Sequence, residues 1–140
     1  AIDGATPLAK LVQASDGNFY GTTQLGGANS NGTVFTINTS GAEAVLHSFG
    51  SGSDGSQPYA ELIQDNYGDF YGTTYQGGAN NDGTVFRITS AGVETVVYSF
   101  AGGVDGATPL AGLIQGSDGN FYGTTMYGGI NNDGTVFTIN

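Results

Sequence analysis

The pair Asp3-Gly4 returns as Asp54-Gly55 and again as Asp105-Gly106, each time 51 residues later. Phe19-Tyr20-Gly21-Thr22-Thr23 returns at Phe70–Thr74 and Phe121–Thr125, and Gly32-Thr33-Val34-Phe35 at Gly83–Phe86 and Gly134–Phe137. Every offset is 51, with no insertion or deletion. A fixed period of this length marks a repeat architecture, in which each unit buries its apolar faces against its neighbours. The third copy stops at Asn140, after 36 of its 51 positions. The expected organisation is one array over residues 1–140, with units at about 3–53, 54–104 and 105–140.

Each full unit reads as four strands. The first is Pro7–Gln13, with copies at Pro58–Gln64 and Pro109–Gln115. A turn follows, Ser15-Asp16-Gly17-Asn18, whose Asp-Gly pair suits a two-residue hairpin turn with both central residues at positive φ. The middle copy has Asn66-Tyr67-Gly68-Asp69 there. The second strand is Asn18–Thr23, with Phe19 and Tyr20 on opposite faces. A Gly/Asn loop leads to the third strand, Gly32–Asn38, and a Ser40-Gly41 turn to the fourth, Glu43–Phe49. Phe and Tyr supply sixteen large rings for a core, while 26 Gly among 140 residues suit many tight turns. No stretch carries the apolar periodicity of an amphipathic helix. The fold class is therefore all-β. Four antiparallel strands with a period near 50 fit a β-propeller blade. A β-solenoid is the competing repeat architecture, but its coils are shorter and lack hairpin turns of this kind.

The run Gly-Gly-x-Asn-x-x-Gly-Thr-Val-Phe occupies Gly26–Phe35, Gly77–Phe86 and Gly128–Phe137. A turn follows, then a strand ending at Ser48-Phe49 or Ser99-Phe100, then Asp-Gly-x-x-Pro. This pattern resembles the GloVer repeat, found in tandem in bacterial, apparently extracellular proteins of Gloeobacter and Verrucomicrobia, and the resemblance spans essentially the whole chain. It implies propeller blades and a secreted or cell-surface location, and no activity.

Three blades cannot close a ring of ~4 to 8. An open arc leaves two apolar blade faces in water. A head-to-tail interface whose rotation closes solves this. The expected partner is thus a second copy of the chain, two copies giving six blades; three copies giving nine come second. The third unit lacks the fourth strand and is expected to be three-stranded with an open edge. The chain starts Ala1-Ile2-Asp3-Gly4, so no N-terminal strand is spare to fill it. Both a fragment of a longer array and a natural short chain fit this pattern, and Ala1 with no signal-peptide pattern behind it leaves the same readings open.

Net charge is −10, with only Lys10 and Arg87 as cations. Nucleic acid and anionic membrane surfaces are therefore not expected partners. No apolar run approaches the ~20 residues of a membrane-spanning helix. There is no Cys, hence no disulfide framework and no thiolate metal site. No cofactor is expected.

In alternating β topology the loop between the second and third strands shares an end of the sheet with the link between units. That end gathers Asp54, Asn80, Asn81, Asp82, Asp105, Asn131, Asn132 and Asp133, with Tyr75, Met126 and Tyr127 beside them. Asp, Asn and backbone oxygens suit Ca²⁺ and the hydroxyls of a glycan. Asp and Asn beside Gly are also ordinary turn formers, and this reading carries more weight. No Asp-x-Asp-x-Asp-Gly calcium loop is present, and no metal ligand is assigned. His47, the single His, is replaced by Tyr98 in the next copy and is expected at the surface of an outer strand. Glu43 and Glu94 correspond by period but sit on different units, and no nucleophile, base and acid assemble around His47. The expectation is a non-enzymatic scaffold or binding module, with a glycan- or Ca²⁺-binding lectin-like role as the alternative.

Overall fold

In a computed structural model that describes residues 3–50 and 52–140, the described residues form thirteen short strands and two single-turn 3-10 helices, with no α-helix among them. The first unit holds β1 (Gly4–Ala5), β2 (Val12–Gln13), β3 (Phe19–Thr23), β4 (Leu25–Gly26), β5 (Thr33–Ile37) and β6 (Glu43–Ser48). The second holds β7 (Ile63–Gln64), β8 (Phe70–Thr74), β9 (Thr84–Ile88) and β10 (Glu94–Ser99), and the third β11 (Ile114–Gln115), β12 (Phe121–Thr125) and β13 (Thr135–Ile139). The 3-10 turns Gly52–Asp54 and Gly103–Asp105 lie in the links. All pairings are antiparallel. The sheet orders are β2-β3-β5-β6, β7-β8-β9-β10 and β11-β12-β13, so the third sheet ends on an open edge at β13. Ala1 and Ile2, where the sequence leaves no spare strand, lie outside the described residues.

The first strand of each unit is shorter than Pro7–Gln13 suggests: only Val12 and Gln13 pair, with Tyr20 and Phe19. The reason lies at the start of the segment. Pro7, Pro58 and Pro109 have no N–H to give a ladder. The residue before each, Thr6, Gln57 or Thr108, takes a positive φ of 61°, 56° or 53°, which bends the chain out of the strand. The Asp-Gly turn also differs from a two-residue hairpin. Gly17 has φ 85° while Asp16 stays negative, and Gly17 N–H donates to Ala14 O at 3.0 Å. This is a longer loop closed by one left-handed Gly, and Asp16 Oδ1 accepts from Asn18 N–H at 2.9 Å to hold it.

The start of each unit makes a contact that strand periodicity does not announce. β1 pairs with β4, Gly4 opposite Gly26, and single bridges Ser56–Gln76 and Ala107–Tyr127 repeat the contact. The start of each unit is thereby tied to its own Gly-Gly loop.

The core lies between sheets. The first sheet offers Tyr20, Val34 and Phe49 to Leu62, Phe70, Phe86 and Ile88 of the second. Tyr20 stacks on Phe70 at 4.1 Å between ring centroids, and Phe49 meets Phe86 edge-on at 5.1 Å. The second and third sheets repeat this 51 residues on: Tyr71 stacks on Phe121 at 4.3 Å and Phe100 meets Phe137 at 5.0 Å. Buried hydroxyls lock the same seams. Thr22 Oγ1 donates to Ala60 O at 2.9 Å and Thr73 Oγ1 to Ala111 O at 3.1 Å. Backbone bonds cross them too, Gln57 N–H to Asn31 O at 2.8 Å and Thr108 N–H to Asp82 O at 2.7 Å. Phe19 and Tyr20 do face opposite ways: Tyr20 joins this core, while Phe19 is half-buried on the far side of its sheet.

Candidate functional site

The loop between the second and third strands meets the inter-unit link at one end of each sheet. Asn29 Nδ2 donates to Phe49 O and Asn80 Nδ2 to Phe100 O, both at 3.2 Å. Asn31 Nδ2 reaches Gly50 O at 2.6 Å. Asn81 Oδ1 accepts from Gly77 N–H at 3.1 Å and Asn132 Oδ1 from Gly128 N–H at 2.9 Å. These amides are engaged in fixing loops, the role that Asn takes beside Gly. Asp82 turns its carboxylate toward the Gly102 backbone. Asn131, Asp133, Met126 and Tyr127 are exposed around the third loop, while Tyr75 is half-buried in an edge-to-face pair with Tyr59, 5.4 Å between centroids.

Asp54 and Asp105 lie in the links and point elsewhere, toward the outer strands. Asp105 accepts the Tyr98 hydroxyl at 2.5 Å and Ala101 N–H at 2.8 Å, which holds the Tyr98 phenol above its usual pKa. Asp54 accepts Gly50 N–H at 2.5 Å on Oδ2. In the place of Tyr98 it meets His47, whose Nε2 lies 3.1 Å from Oδ1 and 3.3 Å from Oδ2. A bulge in β6 around Leu46 sets His47 opposite Val34, on the face turned to the second sheet. From that sheet comes Glu94, whose register partner Ile88 belongs to the shared core. His47, Asp54 and Glu94 each bring a ligating atom within 4.8 Å of the others. Glu94 Oε1 is buried without a hydrogen-bond partner. Burial first, then the Asp54 charge, pushes the Glu94 carboxyl up to about 8 from an ordinary 4.5.

Neither His47 nor Glu94 was legible as part of a site. The one signal was that His47 breaks the repeat. That Glu94 of the next unit faces it depends on how two sheets stack, which strand periodicity does not encode. Among the described residues no hydrogen bond joins Asp54 directly to Asn80, or Asp105 to Asn131.

The two outermost sheet faces are the third feature. Val34 and Val85 are fully buried at 0% exposure by the following sheet, whereas Val136 at the same place is 78% exposed. Ile114, Tyr122, Thr124 and Val136 line an apolar depression of about 290 Å³ on that face. On the first sheet, Leu11 is 50% exposed where Leu62 and Leu113 are 3% and 5%.

No helix among the described residues is long and apolar enough to cross a membrane. No curated protein matches the chain. A family model described as the Gloeobacter/Verrucomicrobia repeat, named from bacterial groups, matches residues 1–140, and the chain belongs to that repeat family.

Proposed function

We propose that this chain is a non-enzymatic stacking module whose three sheets are blades of a β-propeller, at about 3–53, 54–104 and 105–140. Copies pack head to tail, the third sheet of one on the first sheet of the next, until a ring closes. The observation that carries this is the contrast of Val34 and Val85, sealed by the next sheet, with Val136, 78% exposed on a face of the same composition. The first sheet carries the complementary half, Leu11, Phe19 and Phe35, whose counterparts Leu62, Phe70 and Phe86 are buried. The polar seam has matching ends as well. Thr124 is the counterpart of the donors Thr22 and Thr73, and Ala9 of the acceptors Ala60 and Ala111. Thr6 already holds φ 61°, the backbone state that lets Gln57 and Thr108 bond the preceding unit. Two copies make six blades, the arrangement we favour; three make nine.

Light scattering at micromolar concentration tests this. A mass of two or three chains supports the ring and fixes its size, and a monomer overturns it. Such a ring serves as a scaffold or binding module. Its secreted or cell-surface placement is inferred from the repeat family and is checked by cell fractionation. Glycan or Ca²⁺ binding at the loop end takes second place, because the Asn amides there are engaged with backbone. It rests on the exposed Asn131, Asp133 and Tyr127 of the third loop. A glycan array and a Ca²⁺ titration without response would remove it.

A further inference from the structure

We infer that His47, Asp54 and Glu94 form a site for one divalent transition-metal ion, Zn²⁺ being the best match, in the seam between the first and second sheets. Three observations converge on it. The three groups come from three separate segments, β6, the link and β10, yet present ligand atoms within 4.8 Å of one another. Glu94 Oε1 is buried and accepts no hydrogen bond, so the carboxylate carries unspent ligand capacity in a place where polar atoms are normally satisfied. The position also departs from the repeat at His47. In the next copy Tyr98 donates a hydroxyl to Asp105, while here an imidazole nitrogen, a metal ligand, takes its place.

The geometry suits the ion. With Zn–N and Zn–O bonds of about 2.0–2.2 Å, neighbouring ligand atoms around a tetrahedral Zn²⁺ stand roughly 3.3 Å apart. His47 Nε2 and the Asp54 oxygens already stand 3.1 and 3.3 Å apart. Gly50 N–H holds Asp54 Oδ2 from behind at 2.5 Å, as an outer partner that orients a ligand carboxylate. A nitrogen beside two carboxylates favours Zn²⁺ and its neighbours over Ca²⁺ or Mg²⁺, which take oxygen alone. Once the ion displaces the proton that Glu94 keeps in the metal-free fold, two carboxylates and a neutral imidazole balance its charge, in a chain whose net charge of −10 already draws cations. Three protein ligands leave a fourth position for water.

The test is calorimetric titration of the intact chain with Zn²⁺ at pH 7.5, in a buffer that does not bind metal. One Zn²⁺ per site is expected. His47→Tyr installs the residue that the second copy carries and should weaken binding by more than about tenfold, as should Glu94→Gln, which keeps the side-chain volume. Asp105→Asn, at the corresponding place without the His, should leave Zn²⁺ binding unchanged. His47 is the only His, so its imidazole signals in NMR report on the site without any substitution, and they should shift on adding Zn²⁺. Absence of micromolar Zn²⁺ uptake, or binding that His47→Tyr leaves intact, or imidazole signals that do not move, would each overturn the assignment.

Discussion

Gly77 stands against Gly55 so closely that a Cβ on it would lie 2.4 Å from the Gly55 Cα, and its own φ is 80°. Backbone leaves a side chain nowhere to go, and an L-residue is strained at that φ. Gly77→Ala should therefore destabilise the fold by about 1–3 kcal/mol, read as a lower urea midpoint with an unchanged slope. An unchanged midpoint would mean that the bridge between unit start and loop is not tight in solution. The pH dependence of stability turns on Glu94. Its carboxyl is raised to about 8 in the fold and is ordinary, near 4.5, in the unfolded chain. The folded state thus keeps a proton that the unfolded state releases. In metal-free protein that contribution is complete below about pH 4.5 and is lost as pH rises to about 8. His47 and Asp54 face the same carboxylate. Urea midpoints should fall across that window, and Glu94→Gln should flatten the fall; a midpoint that rises instead would show Glu94 ionised in the fold.

Alternating aromatics and Gly-flanked turns made β3, β5 and β6 legible to within a residue, because strand period and turn chemistry are local. The first strand was overextended because a residue before proline reads locally as extended, whereas Thr6, Gln57 and Thr108 all take a positive φ. The β1–β4 ladder and the His47–Glu94 approach escaped for another reason. Both depend on segments distant in sequence, and no local pattern announces them. The seams themselves predict a graded response. Thr73→Val removes the donor to Ala111 O and leaves a carbonyl unpaired within the chain, at a cost of about 1–3 kcal/mol in thermal or urea unfolding. Thr124→Val, the same substitution one unit on, touches no such partner within the chain. It should leave single-chain stability unchanged and loosen only the assembly, seen as a higher concentration for dissociation in light scattering. Equal losses of single-chain stability would contradict the equivalence of the seams.

For the whole molecule, what matters is that the two free faces are different surfaces. A face that paired with its own copy would give a two-fold dimer, whereas first sheet against third sheet is heterologous and closes only as a ring. Charged variants separate the two. Leu11 and Val136 are 50% and 78% exposed, so Leu11→Asp and Val136→Asp each leave the internal seams untouched. Placed in a sealed seam, the carboxylate would be buried without a partner, a cost that breaks the contact. Each variant alone should therefore run as a monomer at micromolar concentration. Mixed in equal amounts they should form one-to-one pairs and nothing larger. The intact third sheet of Leu11→Asp docks on the intact first sheet of Val136→Asp, and the two damaged faces left at the ends stop further growth. Native mass spectrometry with one variant isotope-labelled reads this directly. Homodimers of either variant would show self-pairing faces, and monomers after mixing would show that the faces do not meet; either result would remove the ring.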